Sequence, residues 1–322
     1  YLGGSLSDTA RAIALDAAGN VFVAGGTSST NFPAGAIAGT QPLCNSCTAG
    51  FAAKLNNNLT TLIQATFVGG IVNAIALDAA GNVFVGGATS SITLPGTAGG
   101  AIPANIYGGV LSDGFLVKLN NGLTALIQAT YVGDGAGQSV YAIALDASGN
   151  VFTAGDTASG AFPGTSGAAQ AVLGGGGSDA FVAQLNSGLT ALFKATYLGG
   201  SGADGAYAMA LDAGGNVFVT GYSSSTNLPG TTGGPQPTPG GAVDGFVAKL
   251  NNGLTTLAQA TYLGGSADDV SYAIAIDESD TVFVAGYAHS ANFPGTSGGM
   301  QPAIGGFNDA FVARLNNGLT TL

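Results

Sequence analysis

The sequence predicts an all-β protein, a single five-bladed β-propeller whose four-stranded antiparallel blades take about 65 residues each. Three recurring markers predict it. The string Tyr-Leu-Gly-Gly starts at Tyr1 and returns in variant form at Phe67, Tyr131, Tyr197 and Tyr262, at spacings of 66, 64, 66 and 65 residues. An Ala-(Leu/Ile)-Asp segment ends at Asp16, Asp78, Asp146, Asp212 and Asp277. Phe-x-x-(Lys/Gln/Arg)-Leu-Asn begins at Phe51, Phe115, Phe181, Phe246 and Phe311. Five copies of each marker in fixed order define a tandem array, read as one domain over 1–322 with repeats of approximately 1–66, 67–130, 131–196, 197–261 and 262–322.

Each repeat holds four strand signals, clearest in the fourth. Ala206–Asp212 is short, apolar and bounded by turn residues, and Asn216–Tyr222 follows after Ala-Gly-Gly. Gly245–Asn251 is the third strand and Leu254–Leu263 the fourth. Their β-branched and aromatic content favours strands, and none is long enough for a good helix. Pro33, Pro95, Pro163, Pro229 and Pro294 punctuate the loop between strands two and three. Asp16–Asn20 and its equivalents read as tight hairpin turns with Gly at the φ > 0 position, and Asn-Asn-Gly-Leu, as at Asn251–Leu254, reads the same way. In a meander, alternate turns share an end. The short turns therefore form one face, and the variable loops the other.

Composition fits sheets buried on both faces and excludes several functions. Of 322 residues, 56 are Gly, 46% are hydrophobic and only 7% are charged, against about 25% charged in an ordinary domain. A net charge of −11 repels nucleic acid and anionic lipid, so neither is an expected partner. No apolar run reaches the roughly 18 residues of a spanning helix, so no membrane insertion is expected. Beginning at Tyr1 without a basic or apolar leader, the chain reads as a mature or trimmed segment.

The pattern Tyr-Leu-Gly-Gly-Ser, Ala-Ile-Ala-Leu-Asp-x-x-Gly-Asn-Val-Phe-Val-x-Gly, Asn-Phe-Pro-Gly-Thr and Asp-Ala-Phe-Val-Ala-Lys-Leu-Asn resembles the bacterial β-propeller repeat family called SBBP along the whole chain. The resemblance implies an extracellular or cell-surface protein, and it implies no catalytic residues.

Few residues suggest chemistry. The single histidine, His289, sits in a polar loop segment, which leaves a Ser-His-Asp or Cys-His constellation without support, and the expected answer is no enzyme. Cys44 and Cys47 lie in the variable loop of the first repeat and read as a local disulfide, suited to an oxidising compartment. The hairpin aspartates (Asp16 and equivalents) read as caps on turn backbone. Lys54, Lys118, Lys249 and Arg314 share one register near the end of strand three, where pairing with those carboxylates is expected.

A second acidic set is the candidate binding site. Asp8, Asp204 and Asp269 each fall seven residues after their repeat's Tyr, and Gln138 holds that register in the third repeat. With strand one innermost they would ring the mouth of a central channel on the variable face, either solvated or capturing a glycan or a cation. Ca²⁺ at Asp8, Asp204 and Asp269 is the only cofactor that the residues suggest, since hard cations prefer carboxylate oxygen. A third acidic set, Asp113, Asp179, Asp244 and Asp309, precedes strand three. The expected function is a non-catalytic secreted or cell-surface scaffold or adhesion module. Its partners would be further copies of itself or a cell-surface matrix component. The alternative is a carbohydrate- or cation-binding module working through the variable-loop face.

Overall fold

The computed structural model describes residues 1–33, 49–104 and 111–322. Cys44 and Cys47, and with them the expected disulfide, lie outside the described residues. Nineteen strands and no helix occur among the described residues. In the first repeat they are β1 (Asp8–Leu15), β2 (Val21–Thr27), β3 (Ala49–Leu55) and β4 (Leu62–Val68). The second gives β5 (Ile71–Leu77), β6 (Val83–Thr89), β7 (Asp113–Leu119) and β8 (Leu126–Val132). The third gives β9 (Gln138–Leu145), β10 (Val151–Thr157), β11 (Asp179–Leu185) and β12 (Leu192–Leu198). The fourth gives β13 (Asp204–Leu211), β14 (Val217–Ser223), β15 (Asp244–Leu250) and β16 (Leu257–Leu263). The fifth gives β17 (Asp269–Ile276), β18 (Val282–Ala288) and β19 (Asp309–Leu315). Four sheets have four strands in sequence order, and the fifth has three, β17-β18-β19.

The chain divides into two compact units, Tyr1–Phe152 with Leu185–Phe193, and Thr153–Gln184 with Lys194–Leu322. Within the first, β5 packs on β1–β3, and a core of Phe22, Val72, Val85, Phe115, Leu123 and Tyr131 fills the space between sheets. Within the second, β17 packs on β13–β16, around Phe218, Val247, Leu263, Val284 and Phe293. These side chains come from opposite faces of neighbouring sheets. The charge that the strands carry sits mainly near their ends: Asp113, Asp179 and Asp244 head the third strand of their repeats, and Lys54, Lys118 and Lys249 stand one residue before its end.

Two local expectations need correction. Strand one of the fourth repeat starts at Asp204, two residues before the expected Ala206, and strand four starts at Leu257, three after the expected Leu254. The delay has a cause in the turn: Asn251 Oδ1 accepts from the backbone N–H groups of Thr255 and Thr256 at 2.9 Å each, which diverts those donors from the ladder. The second correction concerns the left-handed residue of that turn. Glycine holds it in the Asp-x-x-Gly-Asn hairpins, at Gly19, Gly81, Gly149 and Gly215, and Asp280 holds it in the fifth. In Asn-Asn-Gly-Leu, however, it is the leucine: Leu59, Leu123, Leu189, Leu254 and Leu319 have φ between 52 and 57°.

A left-handed non-glycine residue costs roughly 1–2 kcal/mol, and burying a leucine returns about 1.5–3 kcal/mol. Leu123, Leu189, Leu254 and Leu319 are fully buried, whereas Leu59 is 64% exposed. Two substitutions should therefore behave oppositely. Leu254→Ala keeps the strain and loses the burial, lowering stability by about 2–5 kcal/mol in denaturant titration. Leu59→Gly relieves the strain with little burial to lose, leaving stability unchanged or raised by a few tenths of a kcal/mol, at most about 1 kcal/mol.

Candidate functional site

The hairpin aspartates are structural, as the sequence implies. Asp16 Oδ1 accepts from Ala18 N at 3.0 Å and Asn20 N at 2.8 Å, and Asn20 Nδ2 donates to Oδ2 at 2.8 Å. Asp78, Asp146 and Asp212 repeat the Asn contacts. The strand-three lysines close on the same carboxylates: Lys54–Asp16 at 3.2 Å, Lys118–Asp78 and Lys249–Asp212 at 3.4 Å. Each ammonium also lies 4.8–4.9 Å from the ring centre of Phe22, Phe84 or Phe218. These interactions hold the carboxyls below their ordinary value. The Asn20 side chain is the leading cause at Asp16; at Asp78 and Asp212 the Asn and Lys contacts together outweigh an opposing push from burial.

Asp8, Asp204 and Asp269 are the first residues of β1, β13 and β17. The sequence leaves them as solvated or cation-binding groups, and the structure corrects the first of these. Asp204 and Asp269 are fully buried, Asp8 half-buried. Each locks the Tyr-Leu-Gly-Gly segment to the start of the next loop. Asp8 Oδ2 accepts from Gly4 N at 2.7 Å and Ser29 Oγ at 2.9 Å, and Oδ1 accepts from Thr27 Oγ1. Asp204 Oδ2 takes Gly200 N at 2.8 Å and Ser225 Oγ at 2.7 Å. Asp269 Oδ2 takes Gly265 N at 2.7 Å and Ser290 Oγ at 2.6 Å, with His289 N and Ser290 N on Oδ1. Gln138 does the same work by another route, accepting from Gly135 N at 3.1 Å and donating to Asp134 at 3.0 Å. Oxygens already facing N–H and O–H hydrogens make poor calcium ligands, while Asp204 Oδ1 is buried without a hydrogen-bond partner. Among the described residues no three of His, Cys, Asp and Glu gather as a metal-binding group.

The strand-three set behaves differently. Asp113, Asp179 and Asp244 are buried, and Asp309 is only partly so. Gly174 N donates to Asp179, and Gly240 N to Asp244, both at 2.6 Å. One carboxylate oxygen of each, Asp179 Oδ1 and Asp244 Oδ1, is buried without a hydrogen-bond partner. Burial is the main force pushing the carboxyls of Asp113, Asp179 and Asp244 up to about 6, and nearby negative charge on Asp134, Asp204 and Asp269 respectively adds to it.

Sequence reading missed one recurring irregularity of the sheets. Strand one is bulged against strand two: pairing slips between Ala10 and Ala12, Val72 and Ala74, Ala206 and Ala208, and Ser271 and Ala273. The extra residues are Arg11, Asn73, Tyr207 and Tyr272, and Tyr141 holds the same place in the third repeat. A bulge re-aims its side chain away from the regular pleat. In the first unit Arg11 Nη1 donates to Asn73 Oδ1 at 2.8 Å, and Asn73 Nδ2 donates to Val140 O at 3.0 Å. In the second unit the bulge tyrosines stack, Tyr207 on Tyr272, with ring centres 5.2 Å apart.

The described edge of the fifth sheet is also distinctive. A groove of about 850 Å³ lies along β19, lined by Phe293, Ala313, Leu315 and Leu322 among others. In the second, third and fourth repeats the tyrosine near the end of strand four fills the corresponding place. Tyr262 Oη accepts from Leu228 N at 2.9 Å and donates to Ser225 O at 2.6 Å, and Tyr131 and Tyr197 make the same pair of bonds.

The SBBP beta-propeller repeat matches the chain over residues 1–33, 194–229 and 260–294. These are the repeats in which Asp8, Asp204 and Asp269 stand at the head of strand one. No curated protein matches the sequence. Among solved structures, the chain is similar to an ulvan lyase of polysaccharide lyase family PL25 in complex with its saccharide, at 12% identity and a TM-score of 0.38, over 85% of this chain and 65% of that one. It is also similar to a GH43 β-xylosidase/α-arabinofuranosidase from a compost microbial metagenome, at 9% identity and TM-score 0.39, over 94% and 89% of the two chains. BamB from Moraxella catarrhalis is similar at 10% identity and TM-score 0.33, over 86% and 73%. Thus the chain spans about two thirds of the lyase's length, and at these scores the likenesses carry no argument about activity.

The two carboxylate classes give opposite pH dependences. Asp113, Asp179 and Asp244 hold their protons more tightly folded than unfolded, so their contribution is complete below the ordinary value of 3.8 and is lost as pH rises through about 6. Asp16, Asp78 and Asp212 contribute above 3.8, and that contribution is lost as pH falls below it. Thermal melting should therefore peak near pH 4 and decline as pH rises from about 4 to somewhat above 6, with little further change beyond. Asp244→Asn, which mimics the protonated acid, should flatten that decline.

Proposed function

We propose that the chain is a non-catalytic scaffold or adhesion module of the β-propeller type, working outside the cell or at its surface. The observation that supports it most is the use of its recurring polar side chains. The hairpin and strand-one aspartates are engaged in holding turns and loops, and Lys54, Lys118 and Lys249 are paired to aspartates. Nothing in these arrangements sets an acid, a base and a nucleophile around a common point. Weak charge and Gly-, Ser- and Thr-rich loops suit packing against a matrix or against further copies. The direct test is electron microscopy of the purified protein with and without cell-envelope material, alongside assays for polysaccharide cleavage. Decoration or ordered assemblies without cleavage are expected, and turnover of a polysaccharide would overturn the reading.

The same reading takes the five sheets as blades of one closed ring. Tyr1–Leu2 matches the end of strand four, and the register of β15 with β16, Gly245 with Leu263 and Phe246 with Tyr262, transfers to Ala310 with Leu2 and Phe311 with Tyr1. Tyr1 stands fully exposed, and only in a closed ring would its hydroxyl reach Phe293 N and Ser290 O, the counterparts of Leu228 and Ser225. Sealing part of an open edge in this way limits strand-to-strand aggregation. Leu2→Cys with Ala310→Cys, in a chain with Cys44→Ser and Cys47→Ser, should oxidise to a crosslinked monomer. Folded protein with two free thiols, or dimers only, would contradict closure.

A second reading, carbohydrate binding, has one specific observation in its favour: an aromatic strip on the second unit.

A further inference from the structure

Six aromatic rings run in unbroken contact across the fourth and fifth repeats. Tyr222 lies 5.4 Å from Tyr207, Tyr207 5.2 Å from Tyr272, and Tyr272 5.9 Å from Tyr287. Tyr287 lies 5.4 Å from His289, and His289 4.8 Å from Phe307. Tyr272 is 52% exposed and Phe307 85% exposed, and the other four are partly exposed. The strip thus climbs from the bulges of β13 and β17, along β14 and β18, to the variable loop before β19.

The fold does not require aromatics at these places. The same place carries Arg11 and Asn73 in the first two repeats and Tyr141 in the third, and the strand-two position of Tyr222 and Tyr287 carries Gly26, Ala88 and Asp156 elsewhere. The structural tyrosines are a separate group: Tyr131, Tyr197 and Tyr262 are fully buried, with both hydroxyl bonds made inside the fold. Left exposed, such a run presents ring edges, phenol hydroxyls and those parts of the ring faces that the neighbouring rings leave uncovered. That surface suits a partner with apolar C–H faces and hydroxyl edges.

We propose that the Tyr207–Tyr272–Tyr287–Phe307 strip is a binding platform for a neutral, linear, β-linked polysaccharide. The inference rests on the carbohydrate-binding reading and adds its site and ligand class. Equatorially substituted pyranose rings offer C–H faces to the aromatic rings, and successive sugars can follow successive rings. Net charge selects against an anionic polymer: the chain carries −11, and Asp268 and Asp269 lie close enough to Tyr287 to raise its pKa, after burial and Tyr272.

The test is affinity electrophoresis of the whole chain in gels containing a soluble mixed-linkage β-glucan or, in parallel, alginate. The native protein should be retarded by the β-glucan and not by alginate. Tyr272→Ala and Phe307→Ala should each weaken retardation by about tenfold or more, a loss of about 1.4 kcal/mol. Tyr272→Phe, which keeps the ring, and Phe193→Ala, which removes an exposed aromatic elsewhere, should stay near native. Melting curves identify any variant that has lost its fold, and Phe307, exposed on a loop, reports without that risk. Retardation unchanged in Tyr272→Ala and Phe307→Ala would overturn this site while leaving carbohydrate binding in place. No retardation of the native protein would overturn the carbohydrate reading itself, and retardation by alginate alone would overturn the neutral ligand class.

Discussion

The structure depends on a close approach between strands one and two that only glycine permits. A β-carbon on Gly25, Gly87, Gly221 or Gly286 would overlap the backbone carbonyl oxygen of Thr9, Ile71, Gly205 or Val270. That contact sits beside the bulge, so the glycine and the bulge form one feature: strand two yields space, and strand one uses it to carry an extra residue. From this follow both the stagger of the sheet and the direction in which Arg11, Asn73, Tyr207 and Tyr272 leave it. The high glycine content is thus partly a steric requirement of the sheets and not only a property of loops.

Around that feature, side chains take over roles that regular hydrogen bonding leaves open. Loops must leave each sheet, and each departure exposes backbone donors. The aspartate heading strand one satisfies those at one end, through Gly200 and Ser225 or Gly265 and Ser290. The hairpin aspartate, with its asparagine and lysine, satisfies those at the other. A buried tyrosine hydroxyl clasps the loop between strands two and three. Within each unit, repetition then propagates the arrangement, since neighbouring repeats pack through equivalent strands. Departures are local. Phe67 lacks the hydroxyl, and Phe32 N falls back on Ser29 O at 3.5 Å.

Much of this was legible in the sequence, because the markers recur. The five repeats, the strand order, the turn-capping role of Asp16 and the pairing of Lys54, Lys118 and Lys249 all follow from residue types at fixed spacing. The positive φ of Leu254 was not legible, since propensity assigns that conformation to the adjacent Gly253, whereas the turn places it on the leucine even in the first repeat, where Leu59 is largely exposed. Neither was the burial of Asp204 and Asp269, because a carboxylate in a loop-like context looks solvated until its donors, more than twenty residues away in sequence, are placed beside it. The aromatic strip stayed hidden for a related reason: Tyr207, Tyr222, Tyr272, Tyr287 and Phe307 are scattered in sequence, and only bulges and sheet packing align them.

The central claim is that the glycine-seated bulge sets both the sheet geometry and the presentation of side chains. Its most direct test is the thermal stability of Gly221→Ala compared with Gly306→Ala, whose added β-carbon meets open space. Gly221→Ala should lose about 1–3 kcal/mol or more by overpacking against the Gly205 carbonyl, and Gly306→Ala should melt with the native chain. Native-like melting of Gly221→Ala would contradict the account.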